Sequence, residues 1–317
     1  MKEIALFRSG KNVKFLYFLE ESIHDNIPHL FYRKFSSYLA EAKRRKDYPY
    51  ILERVFYYCK NPGAELGPDA VPVCSLKRND CASTYYYDVK RALSPFPPTT
   101  RINFLPGDIT FVPNFPSLTK SRPINGENSN SVILRMNRIR HFIHIKDKND
   151  YDNKSDTIIF RGKVPGKAKR ERFFELFWNN PLVDLGDTEK GPGPWVASKI
   201  SIHEHLKYKF ILSIEGNDVA SNLKWIMGSN SVAVMPKPEF ETWFMEGRLI
   251  PDVHFLEIKN DYSNFEEKIL WHIDHPEVVK KIINNANQYC AQFYDSRRER
   301  LIEVLTVGAY LGLLPLK

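Results

Sequence analysis

Cysteine is scarce in this 317-residue chain, which contains only Cys59, Cys74, Cys81 and Cys290. So few thiols in a chain of this length do not indicate a disulfide framework, and no cysteine–histidine spacing matches a zinc site. No apolar run approaches the roughly 20 residues of a membrane span. The first residues, MKEIALFRSGKNVKF, lack the apolar core and cleavage site of a signal peptide. We therefore expect a cytoplasmic protein.

Nucleic-acid-binding signatures are also missing: we find no recognition helix, zinc finger or ribonucleoprotein motif, and we expect no nucleic-acid partner. The net charge of +8 nevertheless favours anionic ligands such as sugar nucleotides, phosphorylated glycans or an anionic membrane surface. One basic run, Lys43–Lys46, lies in a predicted helix. It is typical of a solvated helix face, and attraction to an anionic membrane leaflet is the alternative hypothesis.

The segment 207–264 predicts a parallel α/β unit. Short apolar runs indicate strands at 210–214, 231–235 and 253–258. Between the first two lies a polar turn containing Gly216, Asn217 and Asp218, followed by a helix that Ser221 and Asn222 open. In such layouts ligands bind at the carboxyl ends of the strands and at helix N-termini.

A second strand–turn–helix pattern begins at residue 157. The apolar run 157–160 leads directly into Arg161 and Gly162, and a basic turn with Lys169 and Arg172 then enters an amphipathic helix. Backbone N–H groups and basic side chains at such a turn can bind phosphate, although a solvated basic turn is the simpler alternative. The glycine spacing fits neither the P-loop nor the dinucleotide fingerprint.

The rest of the chain predicts additional elements around these units. Helices are expected over 14–60 and 276–314, and short strands over 102–105, 109–112 and 132–134. The charged segment 146–156 predicts an interdomain linker or exposed loop. We therefore predict an N-terminal, acceptor-side domain over 1–150, a nucleotide-sugar-binding domain over 151–290, and a C-terminal helix over 291–317 that returns to the first domain.

These motifs together resemble a known family. The strand end FRG at 160–162, followed by KYKF, EGND, SNLKW, GSNSVAV and VHFLEIKNDYSN in that order, resembles glycosyltransferase family 90, most closely its bacterial lipopolysaccharide A branch. The resemblance implies a GT-B fold, in which two Rossmann-like α/β domains face a cleft. It also implies a UDP-sugar as co-substrate, with no other cofactor and no bound metal.

The resemblance also implies which residues contact the donor. Arg161, Arg172 and Lys224 would hold the diphosphate. Relatives carry a serine–arginine pair near Ala220 and Asn222; here the arginine is replaced by Asn222, and we expect Ser221 and Lys224 to compensate. Glu246 is a candidate for the ribose. The remaining donor-side candidates come from the two glycine-bearing turns: Gly162, Lys169, Gly216 and Asn217.

The catalytic base departs from the family pattern. Eukaryotic relatives place an aspartate in a Val-Arg-Asp-Tyr-Pro sequence, where this chain has Asn114. An amide cannot act as a base near neutrality. Asp108 and Asp218 are the two alternatives, and a turn or helix-cap role is the competing interpretation for each.

The resulting hypothesis is an inverting, metal-independent hexosyltransferase. It would move glucose or galactose from a UDP-sugar to an inner-core sugar of lipopolysaccharide. It would also contact the inner membrane peripherally. The alternative is a non-catalytic protein of the same fold that binds a sugar nucleotide or glycan, because Asn114 replaces the family's base.

Overall fold

A computed structural model describes residues 11–189 and 191–314. Two predictions fall partly outside these ranges. The prediction that the chain has no signal peptide concerns residues 1–10, and the expected C-terminal helix includes residues 315–317. Eleven α-helices occur in the described residues: α1 Lys14–Asp25, α2 Phe35–Arg44, α3 Tyr48–Tyr58, α4 Ser83–Leu93, α5 Arg138–His141, α6 Ala168–Phe177, α7 Ile202–His205, α8 Leu223–Met227, α9 Phe265–Asp274, α10 Pro276–Ala291 and α11 Ser296–Tyr310.

Twelve short strands accompany these helices in the same part of the chain. They are β1 Val71–Pro72, β2 Arg101–Ile102, β3 Phe104–Leu105, β4 Ser117–Thr119, β5 Arg122–Pro123, β6 Ser131–Ile133, β7 Ser155–Gly162, β8 Val183–Asp187, β9 Tyr208–Leu212, β10 Val232–Met235, β11 Phe240–Glu241 and β12 Leu256–Glu257. Single 3-10 turns lie at His29–Phe31, Val73–Ser75, Arg78–Asp80, Tyr151–Asn153 and Glu246–Arg248.

The main sheet has five parallel strands in the order β12-β10-β9-β7-β8. The chain leaves β7 toward one edge, through α6 to β8, and it leaves β9 toward the other edge, through α8 to β10. The switch point of this doubly wound topology therefore lies between β7 and β9. Ligands of open α/β sheets bind at the carboxyl ends of the strands beside such a point.

Both faces of this sheet are buried, as the apolar runs predict. Along β7, Ile158 and Phe160 belong to one hydrophobic cluster and Ile159 to another, and along β9 Ile211 lies opposite Phe210 in the same way. Helices α6, α9 and α10 cover one face, and α8 contributes to the other. The alternation follows from the two-residue period of a strand.

The preceding half of the chain contains a second, three-stranded parallel sheet in the order β3-β4-β6. The antiparallel pair β5–β11 joins this region to the segment after the main sheet. In that pair Arg122 donates to Glu241 at 2.7 Å, and both side chains are buried. The structure is thus mixed α/β with parallel sheets and helices.

The last helix, α11, packs against α2, α3 and α4. Asp295 caps its start by accepting a hydrogen bond from the backbone N–H of Arg298 at 2.9 Å. Its Glu299 pairs with Arg54 of α3 and accepts from the Trp243 indole at 2.5 Å, all without solvent access to the ion pair. A buried charge pair with further hydrogen bonds fixes how these helices meet.

One local expectation is wrong and two hold only in part. Residues 109–112 form no strand, and the strand expected over 253–258 is reduced to β12. The charged segment 146–156 is not wholly exposed, since Tyr151 is buried and Lys154 makes a buried ion pair with Asp147 at 2.6 Å. Lys154 also donates to Ser231 at 2.9 Å, which ties the segment to the sheet.

Among the described residues, no helix is both long and apolar enough to cross a membrane.

Candidate active site

The candidate site lies at the carboxyl edge of the main sheet, beside the switch point. Arg161 and Gly162 end β7, Thr188 follows β8, and Ser221 and Asn222 follow β9. A side chain does not fit at Gly162, because an added Cβ would lie 2.9 Å from the Phe160 ring. Both predicted turns therefore lie at the same edge of the sheet, because parallel strands have their carboxyl ends at one edge.

A cavity of about 400 Å³ opens at this edge, which we call the cationic cleft. Five of its lining residues are basic, and none of the described lining residues carries a carboxylate. Arg161 is held in place by Asp184, to which it donates at 2.6 Å. The other four make no ion pair within the described chain: Lys11, Lys14, Arg140 and Lys199. Unpaired cations at a strand edge attract a polyanionic ligand.

Polar groups complete the cleft. Ser221 lines it, and so does Asn222, whose side chain donates to Leu212 O at 2.9 Å and accepts from Ser213 at 3.1 Å. Asn222 therefore holds the end of β9 in addition to lining the cleft. His205 is also in the lining, and burial lowers its pKa, so the imidazole is neutral at pH 7.

A second cavity of about 500 Å³, which we call the aspartate cavity, adjoins the cationic cleft. Lys14, Ile139 and Arg140 line both spaces, so the two cavities are immediate neighbours. Asp108 is the only carboxylate among the described residues that line the aspartate cavity, and Asn217 lies beside it. The arrangement puts one carboxylate next to a cleft lined with cations.

Asp108 is partly exposed to this cavity. It accepts hydrogen bonds from Asn217 Nδ2 at 3.0 Å and from the Tyr85 hydroxyl at 3.4 Å, and it makes an ion pair with Lys120. Burial opposes its ionisation, but the charges of Lys120 and Arg140 and the hydrogen bonds outweigh that effect, so the pKa of Asp108 is lowered. The carboxylate is ionised at neutral pH.

Asp218, the other predicted base, lies under the same cavity but does not line it. It is buried, and its Oδ2 lies 2.6 Å from the Lys120 ammonium. Burial and then the nearby Asp108 charge raise the pKa of Asp218, although Lys120 acts in the opposite direction. Lys120 is itself buried and bridges the two carboxylates, and its pKa is raised because the two acids outweigh its desolvation.

The basic turn after β7 divides into residues that face the site and residues that do not. Arg172 is 61% exposed in its side chain, and among the described residues it pairs only with Glu175, at 3.7 Å. The structure therefore does not bring this predicted phosphate ligand to the cleft. Lys169 is occupied by Glu215 and Glu239, at 2.6 and 2.8 Å, outside the cationic cleft.

Arg170, which the sequence pattern did not single out, packs against Gly216. An added Cβ on Gly216 would lie 3.1 Å from the Arg170 guanidinium, which donates to Ile214 O at 2.9 Å. The neighbouring Asn217 accepts a hydrogen bond from Lys167. A side chain at Gly216 would therefore push the Arg170 guanidinium away from Ile214 O and loosen the contact between the two turns, beside Asn217 and Asp108.

Lys224 and Glu246 pair with each other. Lys224 Nζ donates to Glu246 Oε1 at 2.7 Å, and both side chains are buried. Glu246 also accepts from the backbone N–H of Thr242 at 2.6 Å. Neither of these two predicted donor ligands lines the cationic cleft, and Glu246 lines a separate small pocket at the ends of β9 and β10.

Sequence reasoning missed Lys120, Arg140 and Lys199. Lys120 follows β4, and only the three-dimensional pairing of β4 with β3 places it beside Asp108. Arg140 and Lys199 lie outside the two recognised turns. The one sequence feature that pointed to these residues was the positive net charge, and a net charge does not show which basic residues lie in a site.

No group of three or more histidine, cysteine, aspartate or glutamate side chains that could hold a metal ion occurs in the described part of the chain. Asp152, whose spacing from Asp150 resembles a metal-binding pair, is exposed and pairs with Lys280 at 2.7 Å.

Comparison with known proteins identifies similar sequences. The family model described as "Glycosyl transferase family 90" matches residues 132–298. O-glucosyltransferase LpsA of Dichelobacter nodosus is 39% identical over 267 residues, which cover 83% of each chain. Protein O-glucosyltransferase 3 of Homo sapiens is 29% identical over 138 residues, or 41% of this chain and 27% of its own length. Protein O-glucosyltransferase 2 of Danio rerio is 31% identical over 147 residues, covering 44% and 29%.

Proposed function

We propose that this chain, which belongs to glycosyltransferase family 90 and to its lipopolysaccharide A branch, transfers a hexose from a UDP-sugar to an inner-core sugar of lipopolysaccharide. Family membership makes it a glycosyltransferase with a sugar donor and an acceptor. One observation carries the finer proposal: the ionised Asp108 lines a cavity that shares Lys14, Ile139 and Arg140 with a cleft lined by unpaired cations.

In this proposal the cationic cleft takes the UDP diphosphate. Arg140, Arg161 and Lys199 supply charge-assisted hydrogen bonds, and Ser221 and Asn222 supply neutral ones. Because the cations lie where negative charge grows as UDP departs, they lower the barrier without a metal ion. The similar proteins are named O-glucosyltransferases, which favours glucose over galactose as the transferred sugar.

Asp108 is the proposed catalytic base. It takes the proton from the acceptor hydroxyl, whose oxygen forms the new bond to the anomeric carbon while the bond to the UDP oxygen breaks and UDP leaves with the electron pair. This single displacement inverts the anomeric configuration. Lys120 keeps Asp108 ionised, and Asn217 orients it. We favour Asp108 over Asp218 because Asp218 is buried and does not line the cavity.

The proposal includes a GT-B arrangement, with residues 1–150 forming the acceptor-side domain and 151–290 the donor-side domain. Two observations support it: the two parallel sheets are separate, and each cavity is lined by residues of both segments. The packing of α11 on α2 and α3 supports a C-terminal segment over 291–317 that returns to the first domain. We place the enzyme in the cytoplasm, at the inner membrane surface.

The direct test is UDP release from UDP-glucose and UDP-galactose, with and without truncated lipopolysaccharide core, in EDTA. We expect acceptor-dependent release in EDTA, with UDP-glucose the better donor. UDP binding without release from either donor would contradict the proposal and favour the alternative function, a non-catalytic sugar-nucleotide- or glycan-binding protein.

A further inference from the structure

Exposed apolar side chains are concentrated at the start of the described chain. Of seventeen large apolar side chains that are exposed among the described residues, seven lie between residues 15 and 31. Phe15, Leu30 and Phe31 are 72%, 76% and 71% exposed. Single exposed apolar residues are ordinary, whereas a contiguous group marks an interaction surface.

Four of these side chains form one stripe on α1. At about 100° per residue, Phe15, Leu16, Leu19 and Ile23 fall within an arc of about 100°. The opposite side of the helix faces the protein, where Tyr17 is buried and donates to Asp88 at 2.7 Å. The helix is therefore held firmly by one side while it presents the apolar stripe outward.

The 3-10 turn at His29–Phe31 extends this stripe. The ring of Tyr32 packs at a tilt against the His24 ring of α1, with centroids 4.8 Å apart, and the Tyr32 hydroxyl donates to the His24 carbonyl. His29 is fixed by its ring nitrogen, 2.7 Å from Phe96 O. The turn is thus anchored next to the end of α1, and Leu30 and Phe31 extend the exposed apolar surface. We call Phe15, Leu16, Leu19, Ile23, Leu30 and Phe31 together the apolar face.

The charges around the apolar face leave a positive excess. The acidic groups of α1 are neutralised: Glu20 and Glu21 pair with Arg91 at 3.1 and 2.7 Å, and Asp25 lies 3.9 Å from Lys90. The exposed lysines before and after the face, Lys11 and Lys34, make no ion pair within the described chain, whereas Lys14 lies on the other side of α1 and lines both cavities. Free lysines that flank exposed apolar residues complement an anionic lipid surface.

The apolar face is also next to the proposed acceptor site, because Lys14 and Phe18 of α1 line the aspartate cavity. We propose that α1 and the following turn dock the protein on an anionic lipid bilayer, with the apolar face entering the interface and the flanking lysines at the headgroups. Docking would let a lipid-linked acceptor reach Asp108 from the membrane surface. This part of the inference rests on the proposed function.

The inference moves the membrane contact away from the basic run Lys43–Lys46. Arg45 of that run is occupied by Asp47 and Asp295, each at 2.7 Å. None of the exposed large apolar side chains lies between residues 32 and 70 of the described chain. Charge without apolar anchors gives weaker, salt-sensitive adsorption.

The test is flotation of the full chain with vesicles of phosphatidylcholine containing 30% phosphatidylglycerol, compared with pure phosphatidylcholine. We expect binding to the anionic vesicles only, and a loss of roughly tenfold or more in partitioning for Phe15→Ser with Phe31→Ser, because each ring leaves the interface. Lys34→Gln should lower partitioning onto the anionic vesicles several-fold, and this reduction should be smaller at high salt.

Matched controls separate this surface from general stickiness. Leu270→Ser with Trp271→Ser removes two exposed apolar side chains from α9 and should leave partitioning unchanged, as should Lys43→Gln with Arg44→Gln. Absence of flotation for the natural chain, or equal flotation of the Phe15/Phe31 variant, would overturn the inference. The inference would also be overturned if the natural chain formed a dimer and did not bind vesicles, and if the Phe15/Phe31 variant were monomeric. A second copy of the chain would then cover the face.

The vesicles contain neither donor nor acceptor, so flotation is independent of catalysis. UDP release with a detached, water-soluble core acceptor should be unchanged in the Phe15/Phe31 variant, whereas release with the same acceptor embedded in anionic vesicles should fall in proportion to partitioning. Flotation without any UDP release would refute the proposed function and leave the docking surface intact.

Discussion

Asn217 Nδ2 lies 3.0 Å from Asp108 Oδ2, and this hydrogen bond joins residues 109 positions apart in the chain. It connects the turn after β9 of the main sheet to the loop after β3 of the small sheet. Since Asp108 also pairs with Lys120, the carboxylate is fixed from both sides while one edge remains open to the aspartate cavity. A base held in this way loses little entropy when the acceptor binds.

Replacing Lys120 should change the pH dependence of the reaction. Lys120 lowers the pKa of Asp108 in the folded protein, so the wild-type acid limb of kcat/KM attributable to Asp108 should lie below the ordinary aspartate pKa of about 3.9. In Lys120→Met the pKa of Asp108 rises, and activity should be lost as the pH falls through this higher value. The pH profile of kcat/KM measures the shift.

Lys120→Arg is the matched control, because it keeps the charge and should restore most of the wild-type profile. An acid limb that stays in place in Lys120→Met, in a protein shown by circular dichroism to be folded, would contradict the role given to Lys120.

Arg140 should contribute strongly to UDP binding. It lines both cavities and makes no ion pair within the described residues, so its guanidinium is available to a phosphate. A hydrogen bond to a charged group contributes about 1.5–3 kcal/mol, so Arg140→Ala should raise the Kd for UDP about 10- to 150-fold. Isothermal titration calorimetry in EDTA measures this directly.

Arg172→Ala is the paired comparison, because Arg172 was predicted from the sequence to bind phosphate but is exposed in the structure. Its Kd should stay close to that of the wild type. A larger loss in Arg172→Ala than in Arg140→Ala would show that the donor lies at the basic turn instead of the cationic cleft.

Glu299 should be essential for stability. Glu299→Gln leaves the Arg54 guanidinium buried without a counter-charge, which costs about 3–5 kcal/mol of unfolding free energy. Urea unfolding followed by circular dichroism gives the change. Glu53→Gln, which removes the exposed partner of Arg248, should cost less than about 1 kcal/mol. Equal effects of the two substitutions would refute the importance of the buried pair.

The sequence predicted the main sheet well because its signal is local. The apolar runs that became β7, β9 and β10 are bounded by glycine, proline and polar turns, and parallel strands buried on both faces need such runs. The run 109–112 looks similar but forms no strand, and Ile109 bonds instead to the Ser121 side chain at 3.2 and 3.0 Å. Tertiary contacts decided that segment, and no local pattern records them.

The site was only half predictable for the same reason. Arg161 lies at the end of a strand, and Asn217, Ser221 and Asn222 follow one; the parallel topology brings such positions together. Arg172 and Lys169 differ from Arg170 only by helical phase, so the sequence could not tell which of them faces inward. Lys120 was invisible because its function depends on two acids brought from distant parts of the chain.

The most direct test of the account is a comparison of Asp108→Asn with the wild type under single-turnover conditions, using UDP-glucose, truncated lipopolysaccharide core and EDTA. General-base catalysis contributes about 10²–10⁴-fold, so UDP release should fall by at least roughly 100-fold while the Kd for UDP stays nearly unchanged. Asn114→Ala, at an exposed position, should release UDP at the wild-type rate. Near-wild-type release by Asp108→Asn would contradict the assignment of Asp108 as the base.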